Sequence, residues 1–537
     1  LSATGEAAAP AGSAPERAEG AAARNTAMFS AWTGVSRVVG LLREIVFASY
    51  FGTSAAASAY TIAFLVPNFV AQLFANAALG AAFVPVFTDL LQRERRQEAF
   101  RLASTLFWIM LLGLSVVTAF FILAAGVIMP LFIGPQFHAV ALTVGLSRVL
   151  FPVVFLLGLN GLLLAILQSY DRFTVQAISP VLWNVVILVL LVVLHPLFHG
   201  ENGIYAFAIG VLVATGLQLL IAFVALGRID FRLQFHIDWH DQRVRHVLAL
   251  MLPVTVGLGI VNLDQLINSA FGTLVNTEAP RAIENAFRVY MLPQGMFSVA
   301  VATVLFPIMS RMASRRDVAS MRQTVGSGMR QINLLLIPAA AFLIVLTVPV
   351  VRLLFERGHF DAKSTSSVST ALFWFAFSLP FGGINLLLTR AFFAVQRPWI
   401  PTSLAGINMA VDIVVSLSLY KPLGIAGLVI GTLAANMVMT ALQLRRLRTG
   451  FNGRLEGAKT TMITVRICVA SALLAGVSYV VWDVLDSLLG TSLQAQIISV
   501  GTAGLAGVLV YVRAVLAMRI PEAHQVHSLI TARLGRA

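Results

Sequence analysis

Charged and strongly polar side chains sit inside stretches that are otherwise apolar, and they fall into two groups with different chemistry. The first group is cationic. The string SRVVGLLREIVF carries Arg37, Arg43 and Glu44, and the string ENAFRVYMLP carries Arg288. At the pitch of an α-helix, Arg37 and Glu44 fall within about 20° of each other and Arg43 lies about 120° from Arg37, so one wide face of the first segment is polar. Guanidinium forks match phosphate oxygens, so three arginines facing one cavity without matching acids would hold a polyanion, above all a diphosphate. Two plainer readings compete for each: snorkelling toward the membrane surface, or a local ion pair such as Arg43 with Glu44. The second group is acidic and neutral. Asp264 lies in one apolar stretch, Asn408 and Asp412 stand four apart and hence on one helical face of another, and Thr432 follows in the next. Two carboxylates and two neutral oxygens suit a hard cation. The alternative is that the aspartates are protonated, or hydrogen-bonded to neighbouring helices as polar glue.

The elements that must position these residues are membrane helices. Of 537 residues, 58% are hydrophobic and 11% charged, where a soluble domain has about 25% charged. A spanning helix needs roughly 20 apolar residues. Fourteen such stretches are expected, at about 27–50, 57–90, 102–128, 139–168, 173–195, 203–227, 245–276, 282–312, 325–354, 365–395, 399–420, 424–444, 464–486 and 493–518. They are continuously apolar, whereas barrel strands alternate over about 10 residues, so the fold class is an all-α polytopic membrane protein. Prolines 67, 85, 293 and 307 lie inside the second and eighth stretches and are expected to bend them. A charge at bilayer depth costs about 2.5–3.5 kcal/mol on insertion scales, so the embedded charges face either a wet cavity or a partner.

The net charge of +14 follows the distribution of 37 Lys and Arg along the chain. With a cytoplasmic N-terminus, 26 fall in cytoplasmic tails and loops, five in the opposite loops (Arg281, Arg352, Arg357, Lys363, Lys421) and six within helices. This bias sets both termini in the cytoplasm and leaves little basic charge that calls for nucleic acid. Residues 1–26 are rich in Ala, Gly, Pro, Ser and Glu and read as a disordered cytoplasmic tail without a cleavable signal. The single Cys468 excludes a disulfide within the chain.

The same grammar recurs in the two halves. NGLLLAILQSYDR from Asn160 resembles NLLLTRAFFAVQR from Asn385, GIYAFAIG at Gly203 resembles GIAGLVIG at Gly424, and LFIGPQF at Leu131 resembles LFERGHF at Leu354. The copies lie about 220–227 residues apart and span six helices each. An even number of crossings gives both copies one orientation, so the expected axis runs along the membrane normal. The domains expected are a tail (1–26), an N-terminal lobe of helices one to six (27–228), a cytoplasmic linker (229–244), a second lobe of helices seven to twelve (245–448), two further helices (449–519) and a cytoplasmic tail (520–537).

The strings SRVVGLLRE, FGTSAAASAYTIAFLVPNFVAQLFA, AFVPVF, FRVYMLPQGMFSVAVATVLFPIMS and LLFERGHFD resemble the MurJ family, bacterial flippases for the peptidoglycan precursor lipid II. The resemblance covers nearly the whole chain after residue 27. It implies two six-helix lobes around a V-shaped cavity, a groove for the polyprenyl tail on the last two helices, and location in the bacterial plasma membrane. It also implies that Arg37, Arg43 and Arg288 are needed for function, with Glu44 where the family usually has Asp. A sodium site in the family is built from the corresponding helices, so the resemblance carries Na+ to Asp264, Asn408, Asp412 and Thr432. Two departures stand out: Gln72 replaces an Arg of the second helix, and Ser58 replaces a common Asp.

The leading function class is therefore a flippase for lipid II, driven by membrane potential or an ion gradient, since no phosphate-binding loop for ATP is present. Another polyprenyl-diphosphate-linked saccharide is an alternative substrate. A cation-coupled drug exporter of the same superfamily would be expected to have twelve helices and a less cationic cavity. An enzyme is disfavoured: HIDWHD, His236 to Asp241, has an acyl-transfer-like spacing but stands alone in a loop. A scaffold for cell-wall synthesis proteins, docked through the basic segment from Arg445 to Arg466, is an added role at most, because it has no use for intramembrane charges.

Overall fold

The computed structural model describes residues 32, 34–74, 76–450 and 456–524, leaving out the side chains of 71–78, 80–81, 252–254, 256–262 and 264–265. The expected tail at 1–26 and most of the tail after 520 therefore lie outside the described residues, as do the side chains of Gln72 and Asp264. All regular structure among the described residues is helical. The helices are α1 (34–51), α2 (Ala55–Phe74), α3 (Asn76–Gln92), α4 (Arg96–Ile128), α5 (Val140–Leu150), α6 (Pro152–Ser169), α7 (Thr174–Leu194), α8 (Ile204–Leu226) and α9 (Gln242–Val275). They continue as α10 (Ala279–Pro293), α11 (Val299–Ser314), α12 (Val318–Val345), α13 (Thr347–Phe355), α14 (Ala362–Ala394), α15 (Trp399–Leu423), α16 (Ile425–Gly450), α17 (Gly457–Leu489) and α18 (Leu493–Ala517).

Eleven helical stretches among the described residues are long and apolar enough to cross a membrane. The other three expected stretches are 27–50, which starts outside the described residues, 57–90, which is divided between α2 and α3, and 245–276, where many side chains of α9 are left out. Prolines act unequally. Pro293 ends α10 and is followed by a π-helical turn, Gln294–Ser298, and Pro152 opens α6 after the break at Phe151. Pro67, Pro85 and Pro307 lie inside α2, α3 and α11 without ending them. Polar caps start several spans: Asp317, Asp361 and Ser492 accept hydrogen bonds from the backbone N–H groups of Ser320, Ser364 and Ala495.

The chain divides into two compact units. The first comprises Leu1–Val46, Pro67–Ala125 and Gly145–Val256. Here α8 packs on α6 and α7, and α3 packs on α6. The Trp183 indole donates to Thr215 Oγ1 at 3.1 Å, joining α7 to α8. The expected linker lies along α4, where Trp108 donates to the carbonyl of Gln234 at 2.9 Å and stacks edge-on with Phe235. Asp241, the last residue of HIDWHD, accepts from the Arg243 backbone N–H at 2.8 Å at the start of α9, which is a structural use for that carboxylate.

The second unit comprises Phe47–Val66, Gly126–Val144 and Gly257–Ala537. Within it α14 packs against α10, α11, α12 and α16, while α12 packs against α17, and α17 against α18. Leu334, Ile463, Ile467, Leu474, Tyr511, Val515 and Ile520 form one of its buried clusters. Two cations are buried in helices, and one of them, Arg281, is placed in a loop by the charge count. Arg281 of α10 is 2% exposed, with its guanidinium 3.9 Å from the ring centre of Phe47. Arg330 of α12 is 4% exposed and pairs with Glu522 and Glu456. Their carboxylate and aromatic partners make burial tolerable, so Arg281 contributes nothing to a loop charge count. Gly52 and Gly358 both have positive φ, and a Cβ on either would fall 2.4 Å and 2.2 Å from the carbonyl oxygens of His359 and Ser49 respectively. Only glycine satisfies both the conformation and the approach.

Candidate functional site

The four charged residues singled out on α1 and α10 have different surroundings. Arg37 is exposed on α1, two turns before Glu44. Arg43 and Glu44 are 6% and 4% exposed, and Arg43 Nη2 donates to Glu44 Oε1 at 2.5 Å. Adjacent residues on a helix do not ordinarily face each other; burial draws this pair together. The Arg43 guanidinium also lies 4.8 Å from the ring centre of Trp183 on α7, and its Nε has no hydrogen-bond partner. In the second unit, the Arg288 side chain is 40% exposed and its Nη2 donates to Glu284 Oε1 at 2.7 Å, one turn earlier on α10. The expectation of arginines without matching acids is thus corrected for two of the three. A neutralised guanidinium still has five N–H donors in all, so each retains capacity for phosphate oxygens, but at lower net charge.

The acidic constellation lies in the second unit. Asp412 of α15 is 2% exposed. Ser416 Oγ donates to its Oδ1 at 2.9 Å and Asn268 Nδ2 donates to its Oδ2 at 2.7 Å. Thr432 Oγ1 of α16 approaches the same Oδ2 at 3.4 Å, and Asn268 Nδ2 lies 3.4 Å from Thr432 Oγ1. The structure therefore brings Asp412 and Thr432 together, as expected, while Asn408 is half-buried one turn before Asp412. Asp264 lies on α9, with its side chain outside the described residues.

Sequence reasoning missed Asn268, Ser416, Glu284 and Trp183. The first three stand at four-residue spacing from Asp264, Asp412 and Arg288, and that spacing was the available signal. No sequence signal links Trp183 to Arg43. Gly431 was also missed: a Cβ there would lie 2.0 Å from Ser416 Oγ and 2.6 Å from Asp412 Oδ1, so glycine lets α16 approach the carboxylate. Beyond the site, a chain of amides and hydroxyls joins α14 to α16, with Asn436 donating to Ser378 Oγ at 3.1 Å and Thr440 to Asn385 Oδ1 at 2.7 Å.

Comparison with known proteins adds an independent line. A solved structure described as "Lipid II flippase MurJ, inward closed conformation" superposes with a TM-score of 0.77 at 22% identity, covering 91% of this chain and 98% of that one. An inward-facing multidrug transporter of the MATE family and MOP superfamily superposes with a TM-score of 0.66 at 16% identity, covering 78% of this chain and 94% of its own. These establish the fold. In sequence, the chain is 30% identical over 422 residues to a protein of Treponema pallidum (strain Nichols) described as "Probable lipid II flippase MurJ", covering 77% of this chain and 79% of the relative. It is also 30% identical over 456 residues to one of the same description from Rhizobium meliloti (strain 1021), covering 83% and 84%. Residues 47–498 match the profile of the family described as "Lipid II flippase MurJ". With apolar spans, embedded arginines and this match in agreement, the chain is a multi-pass membrane protein that belongs to the MurJ lipid II flippase family.

Proposed function

We propose that the chain is a transporter, not an enzyme, that carries lipid II from the cytoplasmic to the outer leaflet of the bacterial plasma membrane by alternating access. The family match over residues 47–498 carries this reading. Arg37, exposed on α1, and Arg288, with 40% of its side chain exposed, supply guanidinium donors for the diphosphate. Arg43 and Glu44 form a buried pair whose spare Arg43 N–H groups can donate to a phosphate oxygen without leaving a bare cation in the membrane. Fourteen crossings, two six-helix lobes related by an axis along the membrane normal and cytoplasmic termini complete the reading, supported by the internal repeat and the charge bias. The driving force is membrane potential or an ion gradient.

A sodium ion is the proposed coupling ion. The donor set fits a hard cation: the buried Asp412 carboxylate, the Thr432 and Ser416 hydroxyls, and the amides of Asn268 and Asn408, with Asp264 as a second acid. A turn of the Asn268 amide would present its oxygen in place of its N–H. When bound, the ion would neutralise Asp412 and couple α9, α15 and α16 to the gradient.

Complementation of a bacterium depleted of its lipid II flippase tests the substrate. Wild type should restore growth, and Arg37→Ala and Arg288→Ala at matched expression should not. No rescue by well-expressed wild type would point to another polyprenyl-diphosphate saccharide, a reading that the Gln72 and Ser58 departures favour. For the ion, sodium at ten times its dissociation constant should stabilise wild type by about 1.4 kcal/mol. Asp412→Asn should abolish that gain; an equal gain in the variant would overturn the sodium site.

A further inference from the structure

Within the second unit, a cleft of about 650 Å³ lies between α13, α14 and the C-terminal end of α17. The short α13 ends at Phe355, α14 begins at Ala362, and Tyr479 and Trp482 lie in the last three turns of α17, so the cleft lies toward the helix ends, where Trp and Tyr collect in membrane proteins. Its aromatic wall is Phe373, Trp374, Tyr479 and Trp482, with the rings of Tyr479 and Trp482 5.9 Å apart. Its polar wall carries two opposite charges side by side: Arg352 Nε lies 3.6 Å from Glu356 Oε2, and each side chain is 28% exposed. Thr365 Oγ1 donates to Glu356 Oε2 at 2.5 Å, which orients the carboxylate. Ser369 also lines the cleft, is 6% exposed, and its hydroxyl has no partner among the described residues.

We infer that this cleft holds a bilayer phospholipid whose headgroup joins a phosphate to a primary ammonium, as in phosphatidylethanolamine. An acyl chain alone would leave the Ser369 hydroxyl without a partner and the loosely paired Arg352 and Glu356 facing hydrocarbon. An anionic headgroup without an ammonium would meet the Glu356 carboxylate. A zwitterion satisfies both charges: phosphate oxygens accept from Arg352, and the ammonium donates to Glu356 and to the Ser369 oxygen while facing aromatic rings. A choline headgroup has no N–H and makes neither hydrogen bond. The acyl chains continue along Val348, Val480 and Val484, which are 43%, 59% and 50% exposed.

The full chain, purified in detergent and given equimolar phosphatidylethanolamine, phosphatidylcholine and phosphatidylglycerol, is assayed for retained lipid by native mass spectrometry. Phosphatidylethanolamine should be retained about fivefold over either competitor, the ratio that one well-matched charge near the membrane surface supports. Glu356→Gln should reverse the preference toward phosphatidylglycerol, and Arg352→Gln should remove it. Circular dichroism checks folding; if Arg352→Gln fails to fold, Trp482→Ala should lower retention of phosphatidylethanolamine instead. Equal retention of the three lipids, a preference unchanged by Glu356→Gln, or displacement of the phospholipid by polyprenyl phosphate would overturn the assignment.

Discussion

Two buried arginines, Arg43 of α1 and Arg330 of α12, are almost equally hidden, at 6% and 4% exposure, yet they are held in opposite ways. Arg330 binds two carboxylates, Glu522 and Glu456, and lies 3.4 Å from Thr460 Oγ1. Those partners belong to the start of α17 and the segment after α18, so the guanidinium fastens three parts of the second unit together. Arg43 takes its acid from the next residue of its own helix, keeps Nε without a hydrogen bond and leans on the Trp183 ring. The Arg43–Glu44 contact lies within a single helix. Burial alone therefore does not identify an arginine that handles a ligand; the origin of its counter-charge does. A cation saturated by distant acids is a fastener, and one neutralised locally keeps donors to offer.

Arg330→Ala is the strongest way to break this contrast. It leaves the buried Glu522 and the partly buried Glu456 without their cation and should cost about 3–5 kcal/mol, read as a large drop in the thermal midpoint in detergent. An unchanged midpoint would remove Arg330 as a fastener. Arg43→Lys sharpens the contrast from the other side. The ammonium keeps a cation beside Glu44, so the midpoint should fall much less than in Arg330→Ala. The fork geometry is lost, so translocation should fall about tenfold in a lipid flipping assay. A full loss of stability with intact flipping would reverse the roles assigned to the two arginines.

The smallest effect concerns an exposed acid, as a scale for the buried ones. Hydrogen bonds from Ser364, at its backbone and side chain, hold the Asp361 carboxyl below the usual aspartate range. Its contribution is present above the unfolded-state value and is lost as pH falls through the lower folded-state value. Asp361→Ala should lower the midpoint slightly near neutral pH, by no more than about 1 kcal/mol, and the gap from wild type should close in acid. A gap that widened in acid would contradict the cap.

Much of the architecture was legible because a bilayer imposes a length on every apolar run, and most of the expected runs coincide with long helices. Breaks were less legible. Pro293 was readable as a bend, but the break at Leu346, where α12 gives way to α13, was not read, although Pro349 lacks the N–H that would bond the Val345 carbonyl. Within the candidate site, the four-residue neighbours were available in the sequence, whereas the partnership of Asn268 with Asp412 joins residues 144 apart. Periodicity speaks only for one helix at a time, and a contact between helices depends on their relative rotation and depth.

The division between sequence and structure is sharpest for the charges. The sequence by itself determined that the chain lives in a membrane, that its spans are helices, and that several arginines and acids lie inside apolar stretches, because the transfer free energy of each segment depends on composition alone. Which of those charges are neutralised was decided only by the tertiary structure. Arg330 meets acids 126 and 192 residues away, and Arg288 meets one a single turn back. An ion pair depends on distance through a low-dielectric interior, and that distance exists only once the helices have packed.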